Sequence, residues 1–209
     1  MKTLKSCLVM LGVIGLCAVS ANADLLIESF NYSSDTALQA AWNPAGDVPL
    51  PTMATISGTP CMGIYANNTG TGYAGVSYYK QGSWDLTGCT GLTLSMAASN
   101  PSQVFYSFIT LYTDSNTSYY SIADYNTPTN QMQAGFCPPA WWSAGGTPHL
   151  ANVSMIVVGC YVNPGTGPGE VYMSNLIANG VTPVPEPGSL LALGTGLMGI
   201  VGFAWRRRS

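Results

Sequence analysis

Apolar at nearly every position, the sequence Val153-Ser154-Met155-Ile156-Val157-Val158-Gly159-Cys160 is the strongest indication of how this chain folds. Its length and its β-branched residues favour a strand. A strand that is apolar nearly throughout is typical of a central strand of a β-sandwich. We therefore predict that this stretch is a central strand.

Six further stretches have the lengths and the β-branched and aromatic enrichment of strands. They lie between turn sequences such as those of residues 67–72 and 163–169, which are rich in Asn, Gly and Pro. Only residues 34–42 predict a helix, with Ser34 or Asp35 as its cap and Pro44 after its end. The predicted fold class is all-β: an antiparallel β-sandwich, or jelly roll, with one short helix. The six stretches are residues 25–30, 75–79, 92–97, 104–112, 119–123 and 171–178.

The N-terminus has the pattern of a signal peptide. A basic start is followed by an apolar stretch from residue 7 to residue 19, and the small residues Ala21 and Ala23 predict cleavage by signal peptidase before Asp24. Residues 1–23 would then be removed, which leaves a sandwich domain at residues 24–182.

The C-terminus has the pattern of a membrane anchor. Residues 189–205 carry no charge and are followed by Arg206, Arg207 and Arg208. As a helix they would reach roughly 25 Å, at the short end of what crosses a bilayer. The arginines predict that the end of this helix stays in the cytoplasm. We therefore predict a transmembrane helix at about residues 189–205, within a tail that comprises residues 183–209.

Together with Pro185, Glu186 and Pro187, the apolar helix and the three arginines resemble the PEP-CTERM protein-sorting tail. In that family the tail is recognised by an exosortase, a membrane enzyme of Gram-negative bacteria that produce exopolysaccharide. The resemblance implies that the Pro-Glu-Pro triad and Arg206–208 are the sorting motif. It also implies that the protein crosses the inner membrane, is anchored there transiently, and is passed to the cell surface or the extracellular matrix.

The charge of the predicted domain excludes one class of partner. Residues 24–182 contain eight carboxylates against the single basic residue Lys80, a net charge of −7. Binding to a phosphate backbone needs several Lys or Arg side chains. The domain is therefore not expected to bind nucleic acid.

The order of elements in the domain gives a second resemblance. The domain opens with Glu28-Ser29-Phe30-Asn31 and the predicted helix, continues with Trp84-Asp85-Leu86-Thr87-Gly88-Cys89-Thr90-Gly91-Leu92, and closes with Glu170-Val171-Tyr172-Met173-Ser174-Asn175. This arrangement resembles the galactose-binding-like jelly roll of many bacterial carbohydrate-binding modules. In that family acids of the first and last strands commonly hold a structural calcium. Glu28 matches the first acid, but Ser174 stands in the place of the second, and a hydroxyl is a poor ligand for calcium.

Four cysteines remain after the predicted cleavage, namely Cys61, Cys89, Cys137 and Cys160. An even number in an exported domain predicts two disulfides, with three possible pairings. A zinc site is disfavoured, because the chain has no Cys-x-x-Cys pair and only one histidine, His149. No metal and no other cofactor is expected, apart from the weak calcium candidate Glu28.

The sequence does not predict an enzyme. His149 has no recognisable catalytic partner motif, and Asp114 and Asp124 lie beside turn residues, as solvated loop acids do. Trp141 and Trp142 are the best candidates for contact with a glycan, since sugar faces stack on exposed rings. Adjacent residues of an extended segment alternate faces, so both rings cannot enter one core. The alternative is a loop that folds over an open end of the sandwich and covers the core.

These observations predict an exported, non-enzymatic β-sandwich that is processed by an exosortase and binds carbohydrate, with exopolysaccharide or another glycan as its partner. The alternative is a structural protein of the biofilm or exopolysaccharide matrix, glycosylated and without a specific ligand. The apolar helix would make the membrane a further partner.

Overall fold

The apolar stretch quoted first forms the central strand of a sheet. In the computed structural model, which describes residues 23–100, 102–113, 118–123, 132–137, 142–144 and 149–182, it is strand β11 (Val153–Val162). It lies between β5 (Ala74–Trp84) and β7 (Val104–Thr113) and is antiparallel to both. The prediction of a central strand is confirmed.

In the described part of the chain, two sheets of six strands each build the sandwich, and every pair of neighbouring strands is antiparallel. Sheet B has the order β10-β8-β7-β11-β5-β2. Sheet A has the order β3-β4-β12-β6-β9, and β1 pairs with β12 beside β4. The remaining strands are β1 (Ala23–Glu28), β2 (Asn43–Pro44), β3 (Thr52–Ile56), β4 (Thr59–Asn68), β6 (Gly91–Ala98), β8 (Ser118–Ala123), β9 (Gln133–Cys137), β10 (Trp142–Ala144) and β12 (Thr166–Val181).

The one α-helix among the described residues, α1 (Asp35–Ala41), is where the sequence predicted it. The Ser34 hydroxyl caps it by accepting the Ala37 N–H at 3.2 Å. The Asp35 carboxylate accepts the N–H of Met53 at 2.6 Å, so the helix satisfies a backbone donor of the edge strand β3.

The core lies between the two sheets and follows from the alternation of side chains along each strand. Tyr78, Ile109 and Val158, in three neighbouring strands of sheet B, are fully buried there. The ring of Trp42, just after α1, stacks on that of Phe30 with centroids 5.1 Å apart. The all-β antiparallel sandwich with one short helix is therefore confirmed.

Some element boundaries differ from the prediction. Strands β2, β3, β4, β9 and β10 were not predicted, and β12 begins at Thr166, inside the segment 163–169 that was interpreted as a turn. The reason is that Thr166 already pairs with Asn68 of β4, so the turn is confined to the residues before it.

The described part of the chain begins and ends side by side. Ala23, at the start of β1, pairs with Val181 at the end of β12, and the Thr182 N–H donates to the Thr87 carbonyl at 2.8 Å. The compact unit that contains these residues spans Asn22–Thr182. Among the residues described, none forms a helix of the length and apolar character that crossing a membrane requires. The predicted helix at 189–205 and all but the last residue of the predicted signal peptide lie outside the described residues.

Candidate functional site

The outer face of sheet B carries five partly exposed aromatic rings among the described residues, namely Tyr79, Tyr106, Phe108, Tyr112 and Tyr161. Tyr106, Phe108 and Tyr112 of β7 are partly exposed and, together with Thr110 (8% exposed), alternate with Ser107, Ile109 and Leu111, which are at most 1% exposed. They therefore lie on the side of the sheet that faces away from the core. We call this side of strands β5, β7 and β11 the aromatic face. It comprises Gly75, Ser77, Tyr79, Gln81, Tyr106, Phe108, Thr110, Tyr112, Met155, Val157, Gly159 and Tyr161.

The strand register arranges the aromatic face in four rows. Tyr161 lies between Tyr106 and Gly75, and Gly159 lies between Phe108 and Ser77. The next rows are centred on Val157 and Met155. Successive rows are two residues apart, so the face is about 20 Å long along β11.

A continuous series of five rings crosses one end of this face. The exposed rings of Tyr73 and Phe105 stack with centroids 4.4 Å apart, and Phe105 is 5.1 Å from Tyr106. Tyr106 is in turn 4.8 Å from Tyr161, which is 5.4 Å from Phe108. Tyr73 is 56% exposed and Phe105 is 46% exposed, so the series reaches from the strand face into solvent.

Two glycines form the floor beneath these rings. A Cβ added to Gly159 would lie 2.7 Å from Phe108 Cζ, and one added to Gly75 would lie 3.6 Å from the Tyr161 ring. The rings of Phe108 and Tyr161 therefore cover positions that have no side chain.

Polar groups and an open depression occupy the other end of the aromatic face. The depression measures about 460 Å³ and is lined by Gln81, Gly82, Tyr112, Thr113, Ser154 and Met155. Gln81 and Tyr112 supply amide and hydroxyl groups that can hydrogen-bond a sugar hydroxyl. None of the twelve positions of the aromatic face carries a charge.

One of the two predicted glycan contacts, Trp142, lies in the same sheet as the aromatic face but on β10, two strands away from β7. The backbone of Trp142, in β10, pairs with Tyr120 of β8, which pairs with Thr110 of the aromatic face. Trp142 thus takes a register position in line with the row of Val157 and Tyr79. Trp141 lies outside the described residues. The contact of Trp141 and Trp142 with a glycan stays a prediction.

A buried carboxylate lies at a different place, between the two sheets. Glu28 Oε2 is 2.5 Å from Lys80 Nζ, and it accepts the hydroxyl of Tyr32 at 2.7 Å. Burial by itself raises the pKa of Glu28, but hydrogen bonds from Lys80, Tyr32 and the Phe30 N–H outweigh it, so the pKa is lowered. Burial likewise acts to lower the pKa of Lys80, and its hydrogen bonds to Glu28 and Tyr32 raise it overall. Both groups are therefore charged at neutral pH.

The prediction of two disulfides is wrong, because Cys61, Cys89 and Cys160 are free thiols. Cys61 packs with Ala97 and Tyr172 on the outer side of sheet A, whereas Cys160 lies in the core between the sheets. Burial raises the pKa of Cys61 to about 11 and that of Cys160 to about 12. Cys89 donates its S–H to the Gly91 carbonyl at 3.1 Å. The side chain of Cys137, the fourth candidate, is not among those described.

The remaining candidates can be placed as follows. His149 is exposed just before the 3₁₀-helix Leu150–Asn152, which leads into β11. Asp114 and Asp124 lie outside the described residues, as do Ala21 and the whole sorting motif. Within the described ranges, no three His, Cys, Asp or Glu side chains are grouped so that they could hold a metal ion.

Comparison with known proteins identifies the tail and the fold. A family model described as the PEP-CTERM protein-sorting motif matches residues 183–208. No curated protein matches the sequence. The prediction of a PEP-CTERM tail is confirmed.

Several solved structures share the fold. The family 28 carbohydrate-binding module specific for non-crystalline cellulose is 9% identical with a TM-score of 0.52, over 75% of this chain and 95% of that chain. The family 11 module from Clostridium thermocellum, in complex with a β-1,3-1,4-mixed-linked tetrasaccharide, is 15% identical with a TM-score of 0.50, over 79% of this chain and 100% of that chain.

An exo-β-agarase is also similar, with 9% identity and a TM-score of 0.56 over 74% of this chain and 24% of that chain. This chain spans about a quarter of the length of the agarases that it matches. At such identities the likeness concerns the fold. The chain thus carries a PEP-CTERM protein-sorting motif at residues 183–208, which follows in sequence a β-sandwich with the fold of carbohydrate-binding modules.

Proposed function

We propose that this protein is an exported carbohydrate-binding protein that holds an extended, uncharged polysaccharide on the aromatic face and performs no catalysis. The observation that carries the proposal is the series of five rings from Tyr73 to Phe108, which leads onto an uncharged strand face. The PEP-CTERM motif supports the export, and the fold supports the class of ligand.

Ring stacking and short hydrogen bonds suit this ligand. The faces of a sugar ring are covered by C–H groups, which pack on aromatic rings, while its edge carries hydroxyls that need polar partners. The aromatic face offers rings at one end, and the hydroxyls of Ser77 and Tyr79 with the amide of Gln81 along its length. A face about 20 Å long accommodates several sugar residues of an extended chain.

Charge favours a neutral polysaccharide over an acidic one. Residues 24–182 have a net charge of −7, and their single basic residue, Lys80, is bound to Glu28. The net negative charge of the domain would repel a polyanion, and no unpaired Lys or Arg is available to neutralise it. Because Lys80 is paired with Glu28, the charge of the domain supports ligands that carry no uronate or sulfate groups.

Retention by neutral polysaccharides is the direct test. Affinity electrophoresis of the purified protein through gels that contain a β-1,3-1,4-glucan, soluble cellulose derivatives or agarose should retard it in at least one of them. Gels with an acidic polysaccharide such as alginate should not. Retardation only by the acidic polymer would contradict the proposal. Retardation by none, together with a heavily glycosylated mature form, would favour the alternative of a structural matrix protein without a specific ligand.

Sorting is tested separately in the native host. We propose that an exosortase acts on the tail beside Pro185-Glu186-Pro187, and that signal peptidase cuts before Asp24. Intact mass and cell fractionation, with and without the exosortase gene, should give a shorter surface or extracellular form that depends on the enzyme. A full-length product in the inner membrane in both strains would mean that the tail is a simple anchor.

A further inference from the structure

The only Lys or Arg between residues 23 and 182 is Lys80, and it does not lie on the surface as a solubilising charge. It follows Val76 and Tyr78 on the inward side of β5, and its side chain is 27% exposed. A lysine at such a position normally requires a partner, because burying an unpaired ammonium is costly. The partner is Glu28, which is 8% exposed.

Protein groups occupy both oxygens of the Glu28 carboxylate. Oε1 accepts the backbone N–H of Phe30 at 2.9 Å. Oε2 accepts the Tyr32 hydroxyl at 2.7 Å and the Lys80 ammonium at 2.5 Å. Lys80 also donates to the Tyr32 hydroxyl oxygen at 3.2 Å, so the three side chains form a closed triangle.

Two rings complete the surroundings of the ammonium. Lys80 Nζ lies 5.9 Å from the centroid of the Tyr32 ring and 6.0 Å from that of Trp42. Both distances are within the range of cation–π attraction. The ammonium is therefore held by one carboxylate, one hydroxyl and two π faces.

The ion pair connects the two sheets. Glu28 is the last residue of β1 in sheet A, whereas Lys80 belongs to β5 in sheet B. The segment after Glu28 continues through Phe30 and Tyr32 to the N-cap of α1. The same contact thus positions the first strand, the chain that leads to the helix, and the facing sheet.

We propose that Lys80 is a built-in cation that closes the sandwich at Glu28, and that folding of this domain is consequently independent of calcium or any other divalent metal. The jelly-roll resemblance implies a structural calcium near Glu28, and the residues present do not fit one. Glu28 has no oxygen without a partner, and the Ser174 hydroxyl lies 2.9 Å from the Pro60 carbonyl oxygen, within hydrogen-bond distance. Calcium takes six to eight oxygen ligands, whereas the described residues contain no cluster of acids around Glu28.

Charge balance supports a lysine at this position. One carboxylate and one ammonium leave the buried site neutral. A divalent ion beside the same single carboxylate would leave a positive charge between the sheets, which is unfavourable in a medium of low dielectric constant.

Thermal unfolding of the purified full chain tests the proposal. The wild-type protein should have the same Tm in excess EGTA and in millimolar calcium. Lys80→Met, which keeps the length of the side chain, should lower the Tm by about 6 °C because it leaves a buried carboxylate unpaired. Adding Glu28→Gln to it should restore part of the loss. Asp47→Asn, an exposed change of one charge, serves as the matched control and should leave the Tm unchanged.

Three results would overturn the proposal. A wild-type Tm that falls in EGTA would show that a metal supports the fold. A Lys80→Met protein as stable as the wild type would show that the Lys80 ammonium does not stabilise the fold. A double variant no better than the single one would show that Glu28 is not the group that Lys80 compensates. If Lys80→Met does not accumulate, recovery of folded protein in the double variant is the corresponding positive result.

Discussion

Tyr161→Ala is expected to weaken polysaccharide binding about 30-fold, which corresponds to about 2 kcal/mol. Tyr161 links Tyr106 to Phe108 in the series, with centroid distances of 4.8 Å and 5.4 Å, respectively. Its removal takes away one stacking surface and separates Phe108 from the rings of Tyr106, Phe105 and Tyr73. Isothermal titration with the polysaccharide that retards the wild-type protein most measures the effect. The domain should stay folded, because Tyr161 lies outside the core cluster.

Tyr65→Ala is the matched control for this change. Tyr65 is 45% exposed, as the outer rings of the series are, but it lies on β4 in sheet A. Its loss should leave the dissociation constant unchanged. Equal losses in Tyr65→Ala and Tyr161→Ala would mean that binding does not occur on the aromatic face.

The double variant Trp141→Ala/Trp142→Ala decides between the predicted pair of tryptophans and the observed series of rings. The backbone of Trp142 is in line with Thr110 and Val157, so a loss comparable to that of Tyr161→Ala would extend the binding surface across β8 and β10. Unchanged affinity would confine the site to β5, β7 and β11.

The aromatic face could have been found in the sequence, in the alternation of Tyr106, Phe108, Thr110 and Tyr112 with Ser107, Ile109 and Leu111. Such alternation indicates that one side of a strand is buried. It does not reveal which side, because both sets contain large apolar residues. Adjacent tryptophans in a loop were the more conspicuous signal, and they drew the prediction to Trp141 and Trp142.

Strand β4 shows why other parts of the fold were not predicted. Pro60 and Gly63 interrupt its sequence and resemble turn residues. Pro60 lies next to the start of β4, where it pairs with Thr55, and proline is tolerated at such a position. The pairing between distant strands thus overrides the local preference, as is common in sheets.

The disulfide prediction was wrong for a related reason. The number of cysteines says that pairing is possible, but their distance in space depends on the sheet to which each strand belongs. Cys61 and Cys160 are in different sheets, and Cys61 lies outside the core. The order of the strands places these two cysteines in different sheets, and that order could not be read from the sequence.

Gly159→Ala is expected to lower the free energy of unfolding by about 3 kcal/mol and the Tm by about 9 °C, since one methyl group has no space there. The added Cβ would lie 2.5 Å from the carbonyl oxygen of Val76 and 2.7 Å from both Ser77 Cβ and Phe108 Cζ. The first of these contacts is with the backbone of the neighbouring strand, so a change of rotamer cannot relieve it. Either β5 or β11 must move, and both belong to the centre of sheet B.

The same substitution should also impair binding, because Phe108 lies over Gly159 and must shift. Gly75→Ala is the matched control: it lies on the same face, and its added Cβ meets only the Tyr161 ring at 3.6 Å, an ordinary contact. Chemical denaturation should show a lower free energy of unfolding, and titration with polysaccharide a weaker affinity, in Gly159→Ala. Neither quantity should change in Gly75→Ala. Wild-type stability in Gly159→Ala would mean that β5 and β11 are not packed as closely as the register requires, and the floor of the aromatic face would then be incorrectly assigned.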